Sequence, residues 1–234
     1  MSEEKIVAII QARMGSSRFP GKMLAMLRGI PLVEWVVERV RRSRLLDDCI
    51  VAIPKGAADE PLASHLATLD ASVYRGPEQD VLARFHQAAL QSNATTIVRV
   101  CADNPLVCPD AIDALIDFFR SQSPDCRYAY NHIPLNNRWP DGLGAEICSM
   151  DTLATLHREA TDPVHREHVF EFLKQDPERF PTRTFDPDDP RLARPDLKLD
   201  VDTPLNLKKL QIPSIFPELE TLAILKEITS QAAA

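Results

Sequence analysis

The run Ile6-Val7-Ala8-Ile9-Ile10 constrains the fold most strongly. After Lys5 it has no polar alternation at all. A strand with one wet face alternates apolar and polar side chains, whereas a continuously apolar one is buried on both faces and belongs to a sheet covered by helices on each side. Cys49-Ile50-Val51-Ala52-Ile53 and Thr96-Ile97-Val98-Arg99-Val100 repeat the pattern, and Ser72-Val73-Tyr74-Arg75 reads as a shorter strand. Helical periodicity fills the intervals. Pro31 suits the first position of a helix over 31–46, whose apolar face is Leu32, Val33, Val36, Val37 and Val40. Further helices are predicted over 59–69, 80–91 and 109–120. The alternation predicts an α/β domain with a mixed, mostly parallel sheet between two helical layers, a Rossmann-like sandwich.

The pattern loosens after residue 124. Strands are expected at Tyr128-Ala129-Tyr130, at Ala145-Glu146-Ile147-Cys148 and late, over Asp196 to Val201, with a loop over 131–144. Helices are expected near 150–160 and 163–175, and two more close the chain. No linker or repeat divides the sequence, so residues 1–234 read as one domain.

No apolar run approaches the ~20 residues of a membrane span. The start is acidic rather than signal-like, and a cytoplasmic location is expected. A net charge of −7 argues against a nucleic-acid partner. Cys49, Cys101, Cys108, Cys126 and Cys148 are odd in number and include no C-x-x-C, so free buried thiols are expected. The arginines Arg39, Arg41, Arg42 and Arg44 read as the solvated end of a helix.

Glycine is scarce, with seven in the chain. Two fall in the segment that follows the first strand, Gln11-Ala12-Arg13-Met14-Gly15-Ser16-Ser17-Arg18-Phe19-Pro20-Gly21-Lys22. Ligands of open α/β sheets bind beyond the carboxyl ends of strands. Small residues let backbone N–H groups approach an anion, and Arg13, Arg18 and Lys22 add three cations, so a polyphosphate is the natural ligand. The segment is not a Walker loop, because five residues separate Gly15 from Gly21 and Met23 stands where Ser or Thr would hold magnesium. A plain surface loop with solvated cations remains the alternative.

Asp103 and Asp202 also follow predicted strands. Aspartates there are often turn or helix-cap residues, and Asp202 before Thr203-Pro204 fits a cap. Beside a triphosphate loop they gain a second meaning, since magnesium is held by one or two carboxylates plus phosphate oxygens and water. Asp200-Val201-Asp202 also spells the D-x-D of many glycosyltransferases. His165 and His168 lie one turn apart with no third zinc ligand at useful spacing.

The opening segment resembles the signature of sugar nucleotidyltransferases. It is most similar to the cytidylyltransferase branch that makes CMP-ketodeoxyoctonate and CMP-acylneuraminate, and above all to the spore coat polysaccharide biosynthesis protein F family. The resemblance continues, in order, through Arg75 to Phe85, Arg99 to Leu106, Asp141 to Glu146, Arg166 to Val169 and Leu199 to Pro204. It implies a nucleotide-diphospho-sugar transferase (GT-A-like) fold. It also implies a magnesium-dependent transfer of CMP from CTP to an acidic sugar, with release of pyrophosphate. By the same resemblance Arg13, Lys22, Asp103 and Asp202 are catalytic, with Asp103 and Asp202 as the metal ligands. Nucleotide contacts are expected from Gln11, Ala12, Arg13, Gly15, Ser16, Arg18, Gly21, Lys22, Asp80 and Arg84. Acceptor contacts are expected from Asp141, Gly142, Glu146, Arg166, Glu167 and His168, within a 125–185 portion that also forms a homodimer. A glycosyltransferase, a UTP- or GTP-dependent nucleotidyltransferase and a non-catalytic nucleotide-binding subunit are the other readings.

Overall fold

A computed structural model describes residues 4–122 and 124–232; the acidic start over residues 1–3 lies outside them. The strands are β1 (Ile6–Gln11), β2 (Met26–Leu27), β3 (Ile30–Pro31), β4 (Asp48–Pro54), β5 (Ser72–Gly76), β6 (Thr96–Cys101), β7 (Tyr128–Tyr130), β8 (Glu146–Ser149) and β9 (Thr182–Arg183). The helices are α1 (Leu32–Val40), α2 (Glu60–Thr68), α3 (Val81–Gln91), α4 (Pro109–Gln122), α5 (Met150–Glu159), α6 (Pro163–Glu167), α7 (Pro204–Lys209) and α8 (Thr221–Ala232).

Seven strands form one sheet in the order β5-β4-β1-β6-β8-β7-β9. The apolar β1 lies inside it, parallel to β4 and β6. The sheet turns antiparallel where β8 joins β6, which makes it mixed. Alternate residues of β1 serve different layers, as a strand buried on both faces requires. Ile6, Ala8 and Ile10 pack with α1, α2 and α4, while Val7 and Ile9 pack with α3 and α5. A third apolar cluster joins Trp35, Trp139, Leu199 and Val201 to the two closing helices.

Several expectations are corrected in detail. The first helix ends at Val40 rather than 46. The predicted helix over 163–175 is broken after Glu167, with a short 3-10 segment at Glu171–Gln175. The expected strand over 196–201 is an extended segment with a single parallel bridge, Asp141 to Lys198. Arg39 is not solvated. It is fully buried and donates to the carbonyls of Val107, Pro217 and Leu219 and to the Thr221 hydroxyl. All five cysteines are free, and burial pushes the Cys49 and Cys101 thiols up to about 12. Among the described residues no helix is long and apolar enough to cross a membrane.

Candidate active site

Parallel pairing sets the site. Gln11 at the end of β1 is in register with Cys101 at the end of β6. The first loop and the turn bearing Asp103 therefore leave the sheet side by side. The loop is closed by the Gly21 amide donating to the Met14 carbonyl at 3.3 Å. Gly21 has φ 72°, a left-handed conformation that glycine adopts freely. The Met14 amide is fixed by Asp59 at 2.8 Å. Among the described residues the four amides from Gly15 to Arg18 donate to no protein group. Four consecutive free donors beside cations suit an anion.

Lys22 begins a 3-10 turn and is buried. Its Nζ lies 3.0 Å from Asp103 Oδ2 and 3.8 Å from Asp202 Oδ1. Arg18 reaches the same Asp202 oxygen at 2.9 Å. Asp202 is not a helix cap, because Thr203 caps α7 in a reciprocal box with Asn206. Its carboxylate is thus left for the cleft. Gln11, Arg13, Gly15, Ser16, Arg18, Lys22, Asp103 and Asp202 share this first cavity. Ala12 does not join them: its methyl is in the core, and its amide donates to Ala52. Asp200 faces elsewhere, with the Lys198 ammonium 3.0 Å away. Burial, with Asp141 and Asp202 nearby, raises its pKa despite that partner.

Asp103 and Asp202 are partly exposed hard-oxygen donors on one wall of the phosphate-sized cleft. This fits a magnesium site completed by phosphate oxygens and water. Among the described residues no group of three or more His, Cys, Asp or Glu is placed to hold a metal ion.

Asp80 and Arg84 are placed differently from a pair of free nucleoside contacts. Asp80 caps α3 through the Ala83 amide at 2.9 Å and pairs with Arg166 at 2.6 Å. Arg84 is fully buried, donating to the Pro77 and Glu78 carbonyls. Burial lowers its pKa to about 10. Its Nη1 holds the 77–79 turn, while among the described residues its Nε and Nη2 have no hydrogen-bond partner.

The expected acceptor residues divide into three groups. Arg166 and Glu167 join Arg13 and Asp80 in a cavity between the first loop and α6. Glu146 and His168 line a second cavity with Tyr128, Tyr130, His132 and Lys174. Asp141 and Gly142 line neither. Gly142 has φ 91°, and a Cβ there would meet the Asp200 amide nitrogen at 2.8 Å, so this glycine serves close packing. Glu146 is no free hydroxyl binder. It is buried, and both its oxygens are taken by Arg99 and Tyr128. Burial alone would raise its pKa, but the Arg99 guanidinium and His132 outweigh that and hold it below the usual carboxylate range. Arg99, Tyr128, Tyr130 and His132 escaped the sequence reading because they lie in or beside strands, where they look like sheet residues. The one signal was Arg99, a charge inside an otherwise apolar strand.

The mostly parallel sheet, the basic loop at its carboxyl edge and the opposing carboxylates define a nucleotide-diphospho-sugar transferase fold with a charged cleft at that edge. The chain belongs to the cytidylyltransferase family, whose model matches residues 7–227. It is 30% identical to the Bacillus subtilis spore coat polysaccharide biosynthesis protein SpsF, over 85% of this chain and 81% of that one. Its fold is similar to a cytidylyltransferase of Leptospira borgpetersenii, with TM-score 0.88 at 23% identity, covering 99% and 96% of the two chains. CMP:2-keto-3-deoxy-manno-octonic acid synthetase complexed with CTP matches with TM-score 0.66 at 18% identity, covering 89% and 97%. A Mycobacterium tuberculosis protein in complex with manganese matches with TM-score 0.62 at 20% identity, covering 90% and 100%. At these identities the structural matches speak for the fold.

Proposed function

We propose that this chain transfers CMP from CTP to a hydroxyl of an acidic sugar, releasing pyrophosphate and forming a CMP-sugar for surface polysaccharide synthesis. One observation carries the reading: the buried Lys22 ammonium between Asp103 and Asp202, at the floor of a cleft rimmed by Arg13, Arg18 and four free amides. The sugar hydroxyl oxygen attacks the α-phosphorus as the bond to the pyrophosphate oxygen breaks. Such transfers depend on alignment and charge stabilisation rather than on a protein nucleophile. Arg13, Arg18 and Lys22 grip the triphosphate and stabilise the leaving pyrophosphate. Asp103 and Asp202 hold Mg2+, which when bound neutralises charge on the α-phosphate.

The second cavity suits the acceptor. Tyr128, Tyr130 and Phe170 offer flat apolar walls to a sugar ring, the Lys174 ammonium offers a cation to its carboxylate, and His132, whose pKa burial lowers, offers a neutral imidazole. The chain works as a homodimer through its 125–185 portion, which light scattering coupled to size exclusion would test.

The deciding experiment is a pyrophosphate-release screen with magnesium, crossing four nucleoside triphosphates with a panel of acidic sugars. Release with CTP and an acidic sugar is expected. Release with UTP or GTP and a sugar phosphate would favour the other nucleotidyltransferase reading. Hydrolysis or transfer from a nucleotide sugar without pyrophosphate would mark a glycosyltransferase. CTP binding with no turnover on any acceptor would mark a nucleotide-binding subunit.

A further inference from the structure

Gln11 ends β1 and lines the first cavity. Its side-chain oxygen accepts from Arg99 twice, from Nε at 3.1 Å and from Nη2 at 2.9 Å. A guanidinium only donates, so the Gln11 amide has one orientation, with its NH2 turned away from Arg99. Among the described residues that NH2 meets no protein acceptor and is not sealed from solvent. Gln11 therefore presents only donors to the cleft.

Arg99 is itself held from the far side. Its Nη1 donates to Glu146 Oε2, and the Tyr128 hydroxyl donates to Glu146 Oε1 at 2.6 Å. Cross-strand register places Arg99 directly opposite Glu146. The rings of Phe85 and Phe170 lie 5.9 and 6.0 Å from the guanidinium carbon. Burial, reinforced by Glu146, raises the Tyr128 pKa well above the usual phenol value, so its hydroxyl remains a donor. Arg99, Glu146 and Tyr128 also wall the second cavity. Four side chains thus run without a break from one cavity to the other.

We propose that Arg99, Glu146 and Tyr128 are positioning residues that lock Gln11 as an obligate hydrogen-bond donor to a phosphate oxygen in the first cavity. A wall of the second cavity thereby sets affinity in the first. The proposal rests on the reading of the first cavity as a nucleoside triphosphate site. It also reassigns Glu146, whose effect falls on the nucleotide rather than on an acceptor hydroxyl.

The test measures the dissociation constant of CTP with magnesium by calorimetry, with no sugar present. Tyr128→Phe removes one hydroxyl and keeps the ring. Tyr128→Phe and Glu146→Gln are each expected to weaken CTP about five- to tenfold, the equivalent of one good hydrogen bond. Gln11→Glu keeps the acceptor toward Arg99 but turns an oxygen toward the phosphate, and is expected to weaken CTP by more than about tenfold. The Gln11→Ala, Tyr128→Phe double variant should bind no worse than Gln11→Ala alone, because both remove the same interaction. Thermal unfolding checks each variant, and if Glu146→Gln fails to fold, Tyr128→Phe and the double variant decide. Unchanged CTP affinity in Tyr128→Phe, or additive losses in the double variant, would overturn the proposal while leaving the proposed function intact. Wild-type protein that binds none of the four nucleoside triphosphates would overturn both.

Discussion

The amide of Val201 donates to the carbonyl oxygen of Asp103 at 2.7 Å. This bond ties the extended segment before α7 to the end of β6. Two carboxylates from distant parts of the chain are thereby brought to the same ammonium, Lys22. The arrangement is electrostatically closed before any ligand enters, and a triphosphate with its cation would exchange partners within it.

Asp103→Asn keeps the shape of the side chain and removes its charge. It is expected to lower turnover by about 10²–10³ by weakening the hold on Mg2+, and Lys22→Ala by a similar factor by removing a cation from the phosphates. Pyrophosphate release measures the loss, and circular dichroism should find Asp103→Asn folded. Near-normal turnover in a folded Asp103→Asn protein would remove Asp103 from the active site.

Two glycines are expected to separate binding from stability. Gly142→Ala must shift the backbone at Asp200 and adopt a positive φ, with a loss of about 1–3 kcal/mol. Gly15→Ala meets nothing nearer than Glu78 Oε1 at 3.7 Å. Its stability should stay within about 0.5 kcal/mol of wild type, while CTP affinity falls as the added methyl crowds the free amides. Urea unfolding and calorimetry read the two effects.

Arg39 clamps α1 to the 217–221 segment through three acceptors and to the Val107 carbonyl through a fourth. Arg39→Ala takes the donor from the Val107 carbonyl and the Thr221 hydroxyl, while Arg42 still reaches the Pro217 and Leu219 carbonyls, and is expected to cost about 3 kcal/mol. Urea midpoints would show it. A change below about 0.5 kcal/mol would mean that water replaces the guanidinium without penalty.

His86 and His157 stack with ring centroids 4.2 Å apart and planes 2° apart. Burial, then the charges of His157 and Arg166, lower the pKa of His86; burial and Arg166, opposed by Asp80, lower that of His157. The unfolded chain binds these protons from about pH 6.5 downward, while the folded chain resists them. Their contribution to stability is therefore complete above that pH and is lost as the pH falls toward the folded-state values. Unfolding midpoints of wild type and a His86→Gln, His157→Gln variant at pH 7 and pH 5 should differ, with the smaller drop in the variant. Equal drops would refute the assignment.

The alternating layers were legible because β1 and β4 carry continuous apolar runs and β6 one broken only by Arg99. The cationic cleft was legible because Gly15, Gly21 and three cations occur in one continuous segment after β1. The surroundings of Glu146 on the acceptor side and of Asp80 on the nucleoside side were not, because their partners lie far away in sequence. A lone glutamate on a strand reads as a ligand contact; only the fold supplies the Arg99 that occupies it. Asp80 likewise reads as a nucleoside contact until α6 brings Arg166 to it.

Local sequence determined the sheet order's apolar centre, the helix-strand alternation and the small, cationic character of the first loop. These depend on periodicity and on neighbours within a few residues. Tertiary structure alone decided that Lys22 bridges Asp103 and Asp202, that Arg39 is buried, and that Gln11 faces the cleft with its donors. Each of these is a pairing of charges or hydrogen-bonding groups across long chain separations. Their energies arise only when packing removes water and fixes the partner, and no one-dimensional pattern encodes that.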